Sequence, residues 1–155
     1  MGKNRHAITV VLWALSTGLF GGCSSEKAVQ PAKPAASVPS ILNTAWRVVE
    51  VNGAKTGFLP GQKLDFYLLL SRGGQFSGST GCNHLSGSYT MIAGRLSFGS
   101  LLITRIACPS PLMERERMFL DAIRKVASYS TVDGRLRLFG TGGQKIIELV
   151  AVRKF

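Results

Sequence analysis

Cys82 and His84 are the residues of this chain whose types and spacing first suggest chemistry. They lie among glycines and serines, in GSTGCNHLSGSY at 78–89. In an extended chain, residues two apart share a face, so His84 would be placed to activate a Cys82 thiolate as a nucleophile. Cys82, His84 and Cys108 could together bind a metal ion, but a fourth ligand at zinc-like spacing is missing. A disulfide between Cys82 and Cys108 is the third interpretation.

The disulfide is the interpretation that we favour. No third residue is evident to orient His84, and an exposed thiolate would be oxidised in an exported protein. A Cys82–Cys108 bond would close a loop of about 26 residues, which contributes about 3 kcal/mol in the chain-entropy model. Two free, buried cysteines remain an alternative. The sequence therefore predicts no catalytic residue, no metal ion and no cofactor.

Export is indicated by the first 23 residues. Lys3 and Arg5 give a positive start, and an apolar run at 7–20 is too short for a membrane-spanning helix of the mature protein. LFGGC then leads into Cys23, with small residues before the cleavage point, as in a bacterial lipobox. We expect 1–22 to be a lipoprotein signal peptide and Cys23 to be acylated, which gives lasting membrane attachment. The alternative is an ordinary secretory signal with an incidental cysteine.

The mature chain then divides into a tether and one domain. Residues 23–40 are rich in Ser, Pro and Ala without apolar periodicity, as in a flexible linker, and 41–155 form the domain. Removing 1–22 lowers the formal charge from +11 to +9. Nucleic acid is an implausible partner for an exported protein, so we expect anionic lipid, lipopolysaccharide or an acidic envelope protein, or simply a soluble cationic surface. Ser24 and Ser25 favour sorting to the outer membrane, facing the periplasm.

Short β-strands separated by glycine turns make up most of the domain. The predicted strands are 44–51, 63–70, 74–79, 86–92, 95–103, 135–140 and 145–153. One segment, 110–128, has helical periodicity, with Ser110 as its cap and Pro111 in its first turn. The apolar stripe of this helix comprises Leu112, Met113, Phe119, Leu120, Ile123 and Val126. We expect an α+β fold of seven or eight mostly antiparallel strands, in a strongly curved sheet or partial barrel closed by the helix.

Two polar residues have predicted structural roles. Glu116 lies on the apolar stripe of the helix, and a buried carboxylate requires a partner, for which we choose Arg105. The alternative is a glutamate at the stripe edge that reaches water. Asn83 is expected to bond to nearby backbone groups within its own turn.

Three phrases together resemble the META (HslJ-like) domain family: LNTAWRVVEVNG at 42–53, GCNHLSGSY at 81–89 and LITRIACPSPLMERERMFLDAI at 102–123. The positions that match its motifs are Trp46, Gly81, Cys82, Asn83, Gly87, Tyr89, Thr104, Ala107, Cys108, Pro109, Met113 and Glu116. The resemblance spans the whole mature domain.

The resemblance implies a small, β-rich envelope domain with one helix, from a family linked to heat shock and antibiotic tolerance. We expect a non-enzymatic, monomeric lipoprotein that binds or stabilises an envelope component under stress. Two other functions remain open. One is a pilotin-like carrier of a secretion-system partner, which the family resemblance suggests, and the other is an enzyme centred on Cys82 and His84.

Overall fold

Nine strands and one helix make up residues 40–152, which are the residues that the computed structural model describes. The elements are β1 (Ala45–Val51), β2 (Ala54–Lys55), β3 (Phe66–Ser71), β4 (Gln75–Thr80), β5 (His84–Ile92), β6 (Arg95–Ile103), α1 (Ser110–Ile123), β7 (Val126–Val132), β8 (Arg135–Gly140) and β9 (Lys145–Ala151). The predicted signal peptide, Cys23 and nearly all of the tether lie outside the described residues. The described helix does not have the length and hydrophobicity that crossing a membrane requires.

The strands form an antiparallel barrel. From β3 to β9 each strand pairs with the next, and β9 returns to pair with β1 along Trp46–Val51. β3 pairs with the first half of β1, and the two-residue β2 pairs with its end. Eight strands therefore close on themselves, with β2 as an addition. The predicted α+β fold with an antiparallel barrel is confirmed, and strand pairing rather than the helix closes the barrel.

Tight turns connect several neighbouring strands. Asn52–Gly53, Ala93–Gly94 and Asp133–Gly134 each join two strands, and all six residues have positive φ, between 48° and 82°. Two consecutive residues of this conformation match the right-handed twist of paired strands. Glycine at the second position adopts it without a steric cost.

The barrel interior is filled by apolar side chains. Along β3, Phe66, Leu68 and Leu70 face inward and alternate with less buried residues. Trp46, Leu136, Leu138 and Leu149 fill the interior from other strands and are fully buried. An eight-stranded barrel is about wide enough for its own side chains to pack inside. The Phe119 ring of α1 meets the Phe66 ring edge-on, with 4.8 Å between centroids, and so covers one end of this core.

The helix is shorter than its sequence pattern predicted. It ends at Ile123, and Val126–Val132 forms β7, a strand that the predicted helix over 110–128 had absorbed. The β-branched and aromatic residues of VASYSTV suit a strand, and pairing with β8 determines the outcome. Ser110 is also not the cap. Pro109 holds that position without a side-chain hydrogen bond, and its carbonyl accepts from the backbone N–H of Leu112 at 2.9 Å.

Candidate functional site

A disulfide joins Cys82 to Cys108, as predicted, with 6.3 Å between their Cα atoms. Cys82 lies in the bend between β4 and β5, and Cys108 lies just before the helix. The bond therefore holds the chain that leaves β6 against this bend. Because Cys82 and Cys108 are bonded to each other, residues 40–152 provide no free thiol for His84 to activate, and His84 itself is exposed. Among residues 40–152, no three His, Cys, Asp or Glu side chains are placed to bind a metal ion.

Asn83 connects three segments that are far apart in sequence. Its Oδ1 accepts from the Thr104 hydroxyl and from the Ile106 N–H, both at 2.8 Å. Its Nδ2 donates to Glu116 Oε2 at 3.0 Å. The predicted bonds within its own turn are made by the Asn83 backbone, whose carbonyl accepts from the Thr80 N–H at 2.9 Å. The fully buried side chain instead links the bend between β4 and β5, the segment after β6 and the helix.

Glu116 is buried, with 7% of its surface exposed. Its Oε2 accepts from the Thr80 hydroxyl at 2.6 Å, in addition to Asn83. Hydrogen bonds to a carboxylate are short and strong, and these two compensate for its burial. The predicted ion pair with Arg105 is wrong, because Arg105 is exposed and forms no ion pair within residues 40–152. The helix turns Glu116 toward the end of β4 instead.

Arg115 is the residue that the sequence analysis missed, and it is only 5% exposed. Its Nη1 donates to the Gly57 carbonyl at 2.8 Å. Its Nη2 donates to Gln62 Oε1 at 2.9 Å and to the Thr80 carbonyl at 3.1 Å. The guanidinium also lies 4.8 Å from the centre of the Phe66 ring, a cation–π contact. Burial lowers the pKa of the Arg115 guanidinium from its ordinary value.

These side chains form a continuous cluster, which we call the buried polar network: Thr80, Asn83, Arg115 and Glu116, with the exposed Thr104 bonded to Asn83 at its edge. Spacing held a clue to Arg115, since it lies three residues after Leu112 and four before Phe119, on the buried face of the helix. Gly81 makes room for the network. Its φ is +87°, and a Cβ there would lie 2.3 Å from Arg115 Nη2. Both the backbone conformation and the close contact therefore require glycine.

Other predicted motif residues lie elsewhere in the domain. The Trp46 indole donates to the Ile41 carbonyl at 3.0 Å, and the Tyr89 hydroxyl donates to the Ser71 carbonyl at 2.7 Å. A Cβ on Gly87 would lie 2.0 Å from the Ser100 carbonyl oxygen, so the close approach of β5 to β6 requires glycine. Met113 is partly exposed on the outer side of the helix.

A groove of about 460 Å³ lies directly beside the disulfide. Leu64, Ile106 and Pro109 supply much of its lining, and Lys63 and His84 contribute polar atoms. Ile106 is 55% exposed although its backbone N–H is bonded to Asn83. The disulfide and the buried polar network thus hold an apolar surface in place and leave it open to the surroundings.

The fold and this site define a class of protein: a closed antiparallel barrel with one helix, fastened by a disulfide over a buried polar network. The META domain model matches residues 39–152, and the chain belongs to that family. The predicted family is thereby confirmed.

Solved structures share the fold. One is an NMR structure of a protein from Burkholderia xenovorans, 24% identical, with a TM-score of 0.59, covering 81% of this chain and 99% of that chain. Another is the crystal structure of a DUF4847 family protein from Bacteroides vulgatus, 15% identical, with a TM-score of 0.52, covering 74% and 96%. No curated protein matches this chain.

Proposed function

We propose that this META domain chain is a non-enzymatic, lipid-anchored component of the bacterial cell envelope, which binds another envelope component and stabilises it under stress. The observation that carries the proposal is the groove beside Cys82–Cys108, with its exposed Ile106. A disulfide of this kind persists in an oxidising compartment, as expected of an exported protein. The positive charge of the chain supports an anionic or acidic target.

The filled interior supports binding at the surface. Inward-facing side chains such as Trp46, Leu68 and Leu136 occupy the space in which larger barrels hold ligands. A partner would therefore meet the outside of the barrel, and exposed apolar side chains in a fixed position are typical of such contacts.

Photo-crosslinking in cells tests this proposal directly. A benzoylphenylalanine at Ile106 should crosslink to an envelope protein or lipid, more strongly after heat or antibiotic stress. The same group at Ile92, which is equally apolar and 68% exposed at the end of a different hairpin, is the matched control. Equal crosslinking from both positions, or crosslinks to cytoplasmic proteins alone, would contradict the proposal. Crosslinks to a secretion-system subunit would instead support the pilotin-like alternative.

Anchoring has a separate test. Mass spectrometry of the membrane fraction should find a mature chain that begins with an acylated Cys23, and Cys23→Ala should release the protein from that fraction. Lipid anchoring would be contradicted if the mature chain began at another residue and divided between the membrane and soluble fractions as the Cys23→Ala variant does. The crosslinking experiment would then test the binding proposal on its own.

A further inference from the structure

The barrel has an incomplete seam between β6 and β7. β6 pairs with β5 along nearly its whole length, but its register with β7 consists of a single pair, Arg95 opposite Ser128. In that antiparallel register, Val126 at the start of β7 lies opposite residue 97. Phe98–Ile103 therefore has no strand neighbour on the side away from β5, and we call this stretch the β6 edge.

A β-bulge lies within the β6 edge. Tyr89 lies opposite Phe98 and Gly87 opposite Leu101, so Ser88 faces two residues, 99 and 100. A bulge of this kind bends its strand and increases the local twist. In the part of the chain that the structure describes, backbone hydrogen bonds join the β6 edge to β5 and to no other segment. Its outward N–H and C=O groups are open to a further strand.

The β6 edge lacks two of the usual protections against such pairing, a charged side chain and a proline, although it contains the bulge. Natural edge strands carry charged residues or proline that prevent pairing with other chains. The stretch LSFGSLLIT at 96–104 contains no charged residue and no proline. Leu102 lies at the centre of its apolar part and is 69% exposed. Its exposed side chain is therefore available to an alternate side chain of an added strand.

Charge determines which kind of strand would fit. Arg95 begins β6, Arg105 follows its end, and both are exposed without an ion pair in residues 40–152. In a second copy paired antiparallel over the whole β6 edge, Arg95 would lie beside Arg105 of the other molecule. Like charges in neighbouring cross-strand positions are destabilising. A strand with acidic ends would have Arg105 two residues beyond one end of the β6 edge, and Arg95 three residues beyond the other end, where β6 pairs with β7.

We propose that the β6 edge binds an extended segment of another protein, apolar at its centre and acidic at both ends, as an added β-strand. The inference rests on the proposed function, that the chain binds an envelope component, and it names the class of partner. Backbone hydrogen bonds along Phe98–Ile103 would supply affinity. Leu102, Arg95 and Arg105 would select the sequence.

Binding of a designed peptide to the full chain purified in detergent tests the proposal. The probe is a fluorescent peptide of alternating valine and threonine with two aspartates at each end. It should bind, and a peptide with lysines in place of the aspartates should bind about tenfold more weakly. Methylating alternate backbone nitrogens keeps the side chains but removes the donors, and should abolish binding. Equal binding of the methylated peptide, or no binding of the acidic one, would overturn the proposal.

Variants of the protein locate the binding surface. Leu102→Lys places a protective charge on the β6 edge and should weaken binding at least about tenfold. Ile92→Lys is the matched control and should leave binding unchanged. Arg105→Glu should reverse the preference between the acidic and basic peptides. A loss of binding in both lysine variants, or no change in either, would overturn the assignment, provided that near-ultraviolet circular dichroism shows each variant folded.

Failure of this inference is distinguishable from failure of the proposed function. If Ile106 crosslinks to an envelope component in cells while Leu102→Lys leaves those crosslinks intact, the chain binds its partner by another surface. A dimer of the full chain that Leu102→Lys dissociates would show that a second copy occupies the β6 edge, and would also overturn the inference.

Discussion

Two polar clusters of this barrel hold their charged groups in different ways. In the buried polar network, each charged side chain has partners of its own: Glu116 is bonded to Thr80 and Asn83, and Arg115 to carbonyl groups and Gln62. These partners lie on segments far apart in the chain. Loss of one side chain therefore leaves buried groups that no neighbour can satisfy.

Glu148 is the centre of the second cluster, on β9. It alternates with Ile147 and Leu149, so its carboxylate lies on the other face of β9, where the surrounding side chains leave it only 8% exposed. Arg135 Nη1 lies 2.9 Å from Glu148 Oε1, and Lys145 bonds the other oxygen.

Lys145 also reaches Glu50 Oε1 at 2.8 Å, and Arg137 Nε lies 3.9 Å from Glu148 Oε1. Several cations share one carboxylate here, and each extends partly into solvent. The comparison teaches that a charged group matters most where its partners have no substitute, so the network beneath the helix should tolerate change far less than the Glu148 cluster.

The largest effect should come from Arg115→Met. The substitution keeps much of the apolar stem but leaves the carbonyls of Gly57 and Thr80 without their hydrogen-bond donor. It should therefore lower the free energy of unfolding by about 3 kcal/mol. Arg117→Met, two residues further along the same helix and exposed, is the matched control, with an expected change within about 0.5 kcal/mol. Chemical denaturation measures both. Equal effects would show that burial of Arg115 contributes nothing of its own.

The disulfide should contribute nearly as much. Cys82→Ser and Cys108→Ser should each cost about 3 kcal/mol, because each removes the same covalent constraint. The double variant should add little to either single variant, and denaturation of all three measures this. Additive losses would mean that the two sulfurs act independently.

The Glu148 cluster provides the contrast. Arg135→Met should cost about 0.5 kcal/mol or less, since Lys145 and Arg137 remain beside the carboxylate and Arg135 is half exposed. Denaturation in low salt measures the change. A loss as large as that of Arg115→Met would remove the distinction between the two clusters.

The smallest expected effect is a change in how the free energy of unfolding depends on pH in acid. The hydrogen bond from Lys145, and more weakly that from Arg135, lowers the pKa of Glu148 below its ordinary value of about 4.5, although burial opposes this shift. A lowered pKa stabilises the fold fully above that ordinary value, and the contribution is lost as the pH falls through the lower pKa of the folded state. Glu148→Gln should therefore flatten the stability profile below about pH 4.5. If the dependence of stability on pH were unchanged in this variant, the acid sensitivity would belong to groups other than Glu148.

Features that depend on nearby residues could be predicted from the sequence, and contacts between distant segments could not. Alternating apolar residues predicted the strands, and two cysteines in a chain expected to be exported predicted the disulfide. Closure of the barrel was not predictable, because β1 and β9 lie at opposite ends of the domain. The end of the helix was missed because Val126 fits the helical stripe as well as it fits a strand. Its place was decided by pairing with β8.

The candidate site was likewise predicted only in part. The motif positions around Cys82 and Cys108 led to the correct region, and burial of Glu116 was foreseen. Its partner was not, because Asn83 lies 33 residues away and the choice of Arg105 rested on charge alone. Arg115 was missed because an arginine beside apolar helix residues is normally expected to extend its guanidinium into water. Only the tertiary structure brings the Gly57 carbonyl to it.

A double-mutant cycle between Asn83 and Glu116 tests the central claim most directly, that one buried network joins the helix to the disulfide-bonded bend. Asn83→Ala and Glu116→Gln should each destabilise the protein by about 2 kcal/mol, because each leaves buried hydrogen-bonding groups unsatisfied. The double variant should lose at least about 1 kcal/mol less than the sum, since the two side chains share a bond. Strict additivity would contradict the network, because it would mean that Asn83 and Glu116 stabilise the fold independently of each other.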